Sequence, residues 1–294
     1  MTGEVLAVLS ALCYGLAGVT IAKGKVQARG DNGVFLSVCV TASLTLVLWL
    51  GWGTVALGDV LSGHGVPGIL LFVAAGVFAS VLGRHTLYRA TEQIGTVKTS
   101  FYRRLTPVFA LPCAFLLIGE LPDLSAVLGG AIIIASVLFY FSAPKFSAPR
   151  GIGPGDLLGI GSALFYAIAY SLRRKGLLEI PDPAFGTFLG ALTGVLWFLV
   201  AAGISRTPAR ACKRLFVDRS VWHWLTAVAL SLGQTLQFFA LQTASVVAVA
   251  VLGSLDVFFS VALIVFVFKT ETVPVKRLVY TGSVAILGTA ILFL

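Results

Sequence analysis

The residues with the most chemical capacity stand where the sequence is least polar. Lys98, Arg103 and Arg104 lie in the apolar stretch 94–118, and Asp256 is the single charge of the stretch 244–268. A guanidinium grips a carboxylate or phosphate with two parallel hydrogen bonds, and a lysine acts on it as a point charge. An aspartate among them can neutralise an arginine and pin two helices together, or carry a proton. Three positive charges against one acid leave an excess that an anionic substrate group would complement. A second polar arc, Arg84, His85, Tyr88, Arg89, Glu92 and Gln93, closes the preceding apolar stretch, with Glu92 one turn from Arg89. It reads either as an interfacial network or as a gate formed by Arg84, His85, Arg89 and Glu92. Gln234 and Gln237 offer neutral hydrogen bonds to a substrate or to a neighbouring helix, and Tyr14 and Tyr166 either line a cavity or simply pack.

Other chemistries find no support. Cys13, Cys39, Cys113 and Cys212 are unpaired in spacing, and His64, His85 and His223 lie too far apart in sequence for a metal motif. No nucleophile–base pairing stands out. Gly151-Ile152-Gly153-Pro154-Gly155 follows no strand and has the wrong spacing for a nucleotide loop. No cofactor, metal or ATP-driven step is expected, and the chain does not read as an enzyme.

The elements that must position these groups follow from composition. Of 294 residues 58% are apolar and 11% charged, against about 25% charged in soluble domains, and the mean hydropathy is +0.98. No aqueous fold hides so much apolar side chain, which excludes a soluble enzyme, a nucleic-acid module and a disordered chain. The net charge of +9 suits basic loops at anionic lipid headgroups better than nucleic acid. A membrane span needs about 20 mostly apolar residues. Ten stretches qualify, near 3–22, 33–55, 66–89, 94–118, 124–142, 155–173, 185–204, 221–242, 244–268 and 274–294. They lack the period-two alternation of a barrel strand. The start, Met1-Thr2-Gly3-Glu4, lacks a signal peptide's basic region, and the run behind it is long enough to stay in the membrane.

The chain also repeats itself. Ser10-Ala11-Leu12-Cys13-Tyr14 matches Ser162-Ala163-Leu164-Phe165-Tyr166 at an offset of 152, as do Glu4 with Asp156 and Lys23-Gly24 with Lys175-Gly176. Thr86-Leu87 matches Thr235-Leu236, and Val108-Phe109 matches Val257-Phe258, at an offset of 149. Five spans per repeat is an odd number, so the second repeat runs inverted through the membrane, a design that places a binding site between the halves near the midplane. The expected fold is an all-α membrane protein of ten transmembrane helices in two five-helix inverted-topology repeats, residues 1–143 and 155–294, joined by a linker at 144–154. At 1.5 Å per residue Arg103 lies roughly 14 Å into its span and Asp256 roughly 18 Å into its own, so they meet at similar depth. Lys98, Thr99, Tyr102, Arg103 and Thr106 share one arc, and Arg104 falls about 100° further round, beside Ser100.

These features resemble a known family. A first helix ending in Lys23-Gly24, a proline in Thr106-Pro107-Val108-Phe109-Ala110 running on to Gly119-Glu120, and the Gly129-Gly130 pair with its counterpart Gly282 are similar to the EamA-type transporters of the drug/metabolite transporter superfamily. The resemblance implies a central cavity surrounded by the first four helices of each half, with the fifth and tenth outside it. It also implies a secondary transporter, an exporter of small polar metabolites such as amino acids, working by alternating access. The chain departs from the pattern in carrying Asp256 where the first half has Pro107, and in the positive charge of its fourth span; this shifts the expected substrate toward organic anions. The expected substrate-binding set is Lys98, Tyr102, Arg103, Arg104, Tyr14, Tyr166, Gln234 and Gln237, with Asp256 as the coupling group if protons drive transport. The alternative is a flippase for a lipid-linked sugar or phospholipid. Partners are then a small-molecule substrate and membrane lipid, with no nucleic acid.

Fifteen of the 21 lysines and arginines fall in loops and helix ends after odd-numbered spans. Three (Arg173, Arg174, Lys175) fall on the other side. Positive charge stays cytoplasmic, so both termini are expected outside the cytoplasm, in a multi-pass protein of the inner (plasma) membrane. Trp49, Trp52, Trp222 and Trp224 fall at expected helix ends, as interfacial aromatics do.

Overall fold

Long apolar runs punctuated by proline and glycine fold here into helices whose ends those residues set. The computed structural model describes residues 2–56, 58, 65–141, 153–268 and 275–292. Outside them lie most of the expected linker, with Lys145 and Arg150, together with His64, Lys269 and Glu271. Helices α1 (Gly3–Lys25) and α2 (Val34–Trp52) are followed by α3 (Val66–Gly76), which continues through a π-helical segment, Val77–Gly83, into α4 (Arg84–Tyr102). Then come α5 (Leu105–Ile118), α6 (Leu124–Phe141), α7 (Pro154–Glu179), α8 (Pro183–Gly203) and α9 (Pro208–Phe216). The last are α10 (Val221–Thr243), α11 (Val246–Gly253), α12 (Asp256–Ala262), which runs on as π-helical Leu263–Val267, and α13 (Val275–Leu292). Pro154, Pro183 and Pro208 each open a helix, where the missing N–H has no acceptor to lose. Among the described residues there is no strand.

Among the described residues eight helical stretches are long and apolar enough to cross a membrane: 3–25, 34–52, 66–96, 98–118, 154–179, 183–203, 221–243 and 246–267. The fifth and tenth expected spans correspond to two shorter apolar helices, Leu124–Ser136 and Val279–Ile291, and α6 and α13 pack on each other. The gap expected between spans three and four is a single residue. Gly95 turns the chain with φ 79° and ψ 165°, a region essentially closed to residues with a Cβ. The basic connection 205–220 folds in part into α9. This short helix buries none of its residues and carries Arg210, Lys213 and Arg214, as helices lying at a membrane surface do.

Large apolar side chains face outward as well as inward, and some arginines are buried. Leu116, Ile204 and Leu50 are 78%, 81% and 73% exposed, while Arg84 and Arg173 are 1% exposed. Small residues let the helices approach closely: a Cβ on Gly76 of α3 would stand 2.6 Å from the Gly190 carbonyl of α8, and one on Gly194 would stand 2.7 Å from Ser80 Cβ. The Gly190/Gly194 step is therefore a packing groove for α3. Helix α1 packs on α10 and α12, α7 on α3, α4 and α5, and α2 on α8. The first turn of α1 lies against Ala240 and Thr243, and its last against Asn32 and His223. The first turn of α7 lies against Gln93 and Ile94, and Gly176 near its end lies on Phe72.

Candidate functional site

Two helix breaks meet at the centre of the molecule. Pro107 has no N–H to donate, so the ladder slips: Thr106 N–H donates to Arg103 O at 2.9 Å, and Arg103 and Arg104 form a turn between α4 and α5. In the other half Ser254 and Leu255 form a turn between α11 and α12, and Phe258 N–H donates to Leu255 O at 3.0 Å. The Ser254 carbonyl is thereby freed, and Arg104 Nη1 donates to it. Asp256 stands in the first turn of α12 and Arg103 at the end of α4, each at the helix end whose dipole favours its charge.

Asp256 is saturated by these arginines. Its Oδ2 accepts from Arg103 Nη1 at 2.9 Å and its Oδ1 accepts from Arg104 Nη2. Arg103, Arg104 and Asp256 are 8%, 3% and 2% exposed. The Arg103 guanidinium lies 5.0 Å from the ring centre of Tyr14 and 5.3 Å from that of Tyr166, so it is held between the two tyrosines that the repeat makes equivalent. The same equivalence recurs in their helices. Ser10 of α1 donates to Gly233 O at 2.7 Å and Ser162 of α7 to Gly83 O at 3.4 Å, while the Tyr14 ring lies on Gly233 and the Tyr166 ring on Gly83.

Beyond Tyr14 the polar cluster continues without an acid. Tyr14 donates to Gln237 Oε1 at 3.2 Å, and Arg173 Nη1 donates to the same oxygen at 3.0 Å. Arg84 Nη2 donates to Gln234 Oε1 at 2.6 Å and its Nη1 to Ser37 Oγ at 3.0 Å. Phe238 and Tyr170 flank Arg173, their ring centres 4.6 and 6.0 Å from its guanidinium. Among the described residues neither Arg84 nor Arg173 forms an ion pair, and Arg84 Nε and Gln234 Nε2 are buried with no hydrogen-bond partner.

The sequence-derived set is thus divided. Arg103, Arg104, Asp256, Tyr14, Tyr166, Gln234 and Gln237 come together. Lys98 and Tyr102 do not join them: Lys98 Nζ pairs with Asp156 Oδ1 at 2.6 Å, 6.0 Å from the Tyr102 ring centre. Asp156 also accepts from Gly153 N–H at 2.8 Å and so caps α7. Arg84, which follows the π-helical segment Val77–Gly83, leaves the expected gate group for the central cluster, where it meets Ser37 and Gln234. Arg173, expected as the last residue of its span, sits about two turns inside α7, whose helix runs on to Glu179. The signal that could have placed it is the one-turn spacing of Tyr166, Tyr170 and Arg173, which the sequence reading missed.

Polar networks tie the two ends of the bundle. At one end Glu92 lies 3.5 Å from Lys25 and 3.8 Å from Arg89 and accepts from Asn32 Nδ2 at 3.1 Å, while Asn32 Oδ1 meets His223 Nε2 at 3.2 Å. His85 is exposed and, among the described residues, forms no hydrogen bond or ion pair with this network. Asp218 accepts from the backbone N–H groups of Arg29, Gly30 and Asn32 at 2.6, 2.9 and 2.7 Å. Burial pushes the neighbouring Asp31 carboxyl up to about 6, against N–H bonds from Phe35 and Gly33 and with the Asp218 charge adding to the rise. At the other end Glu120 accepts from Val246 N–H at 2.7 Å and lies 3.7 Å from Arg174, and Asp182 accepts from Thr54 N–H at 2.8 Å.

No curated protein matches the sequence. A solved crystal structure aligns over 98% of this chain and 95% of its own, with a TM-score of 0.67 and 15% identity, a likeness of fold. Residues 1–142, just under half of the chain, match the EamA-like transporter family, and the match together with the long apolar helices makes the chain a multi-pass membrane protein similar to those transporters.

Proposed function

We propose that this chain is a secondary transporter of small organic anions, an exporter working by alternating access, built from two five-helix repeats of inverted topology. The observation that carries the substrate reading is the charge balance of the centre. Arg84, Arg103, Arg104 and Arg173 are all buried, and among the described residues Asp256 is the one carboxylate that meets any of them. A buried cation without a counter-ion is costly, so the site is built to receive an anion. Asp256 acts in this reading as the ion-pair partner that fixes the two broken helices. Inverted repeats are supported by the reciprocal Ser10–Gly233 and Ser162–Gly83 contacts and by the run of α1 and α7: the end of α1 and the start of α7 share the end of the bundle that holds Glu92 and Gln93. The Glu92–Asn32–His223 and Glu120–Val246 networks, at opposite ends, serve as gates that open in turn, with Arg89 supporting the first. Export rests on the family resemblance.

Flux in proteoliposomes tests the reading. Purified protein should exchange labelled organic anions across the bilayer, and Arg103→Ala and Asp256→Asn should each reduce the rate at least tenfold. Normal flux in both variants would remove the central site from the mechanism.

A further inference from the structure

We infer that the substrate is an organic dianion, bridged by Arg84 and Arg173 across the face of α10 that carries Gln234 and Gln237. The inference rests on the transporter reading above and names its substrate class.

Arg84 and Arg173 differ from the other two central arginines in what holds them. Arg103 and Arg104 share the Asp256 carboxylate, whereas Arg84 and Arg173 are held by the side-chain oxygens of Gln234 and Gln237 and, for Arg84, by Ser37. These acceptors orient a guanidinium without neutralising it. Phe238 and Tyr170 do the same for Arg173 through their ring faces. Two full positive charges therefore remain on two forked groups that are 1% exposed. Arg84 Nε and Gln234 Nε2 are buried donors without a partner at this place, as are Arg103 Nε and Arg104 Nε beside Asp256.

The spacing and the absence of a second acid select the ligand. Gln234 and Gln237 are one helical turn apart, their Cβ atoms roughly 5–6 Å from each other, so both guanidiniums are held against one face of α10. Two forks on one face suit the two ends of a short dicarboxylate, or a phosphate monoester whose oxygens reach both. A zwitterionic amino acid would bring an ammonium that needs a carboxylate. Asp256 has both oxygens committed to arginine, and Glu92, Asp182, Asp218 and Glu120 are engaged in the end networks.

The test is ligand-induced stabilisation of the full chain in detergent at constant ionic strength, with succinate, inorganic phosphate, acetate and alanine as probes. Succinate or phosphate should raise the melting temperature saturably, with acetate and alanine at least tenfold weaker. Arg84→Gln and Arg173→Gln should each weaken that response at least tenfold while leaving the ligand-free melting temperature equal or higher, since each removes an uncompensated buried charge. A merely structural arginine would lower it. Arg84→Lys, which keeps the charge and loses the fork, should fall between wild type and Arg84→Gln. Alanine stabilising as well as succinate, a full response in both glutamine variants, or no response to any probe would each overturn the inference. The transporter reading stands or falls separately, on the flux of the Arg103 and Asp256 variants.

Discussion

Asp256 concentrates the energetics of the centre at one side chain. It meets two buried guanidiniums, so Asp256→Asn leaves both uncompensated and should cost about 3–5 kcal/mol, read as a large drop in melting temperature. The double variant Arg104→Gln/Asp256→Asn should recover part of that loss, and a double variant no more stable than the single would contradict the pairing. The intramembrane charges on spans four and nine were legible in the sequence, since a charge flanked by apolar residues on both sides admits few readings. The inward places of Arg84 and Arg173 were not legible. Each stands near the polar end of its expected span, 66–89 and 155–173, where an arginine facing protein and one at the membrane surface read alike. Helix α7 runs past Arg173 to Glu179 because its Arg173 face is covered by aromatic rings and Gln237, not by acyl chains.

The helices contribute through where they stop. Pro107 breaks the ladder so that Arg103 and Arg104 leave it together toward Asp256 and Ser254. Pro107→Ala should allow a continuous helix, re-aim both arginines and abolish transport while the helical circular dichroism stays unchanged; normal transport would show that the break does not position them. Gly95→Ala places a Cβ at φ 79° and should lower stability by about 1–3 kcal/mol, whereas an unaltered melting temperature would mean the turn is not held there. The loop before α2 adds a pH effect. Asp31 titrates near 6 in the fold and near 3.9 when unfolded. The folded state therefore binds the proton more tightly, and the stability linked to it is full below about 4 and lost as pH rises through about 6. Melting temperatures should show wild type gaining on Asp31→Asn as pH falls from 7.5 to 4.5, and a pH-independent difference would refute this. Spans and the proline were readable from hydropathy and residue type. The one-residue turn at Gly95 was not, because a lone glycine inside polar residues does not reveal its φ.

Across the whole molecule, the contacts of α1 with α10 and of α7 with α3 are the ones the proposed duplication calls for, and in that proposal the site lies at the junction of the halves. Composition made the membrane class evident, and the offsets of 152 and 149 residues suggested the repeat. The content of the centre was harder to read, because helices separated by 150 residues must pack before Arg84 finds Gln234. The central claim is that this basic cluster opens alternately to the two sides of the membrane. The most direct measurement is labelling of a single cysteine, Gln237→Cys in a chain whose four native cysteines are replaced by serine or alanine, with a membrane-impermeant thiol reagent applied to oriented vesicles from either side. The account predicts labelling from both sides, slowed by a bound organic anion. Labelling from one side only, under every substrate condition, would contradict it.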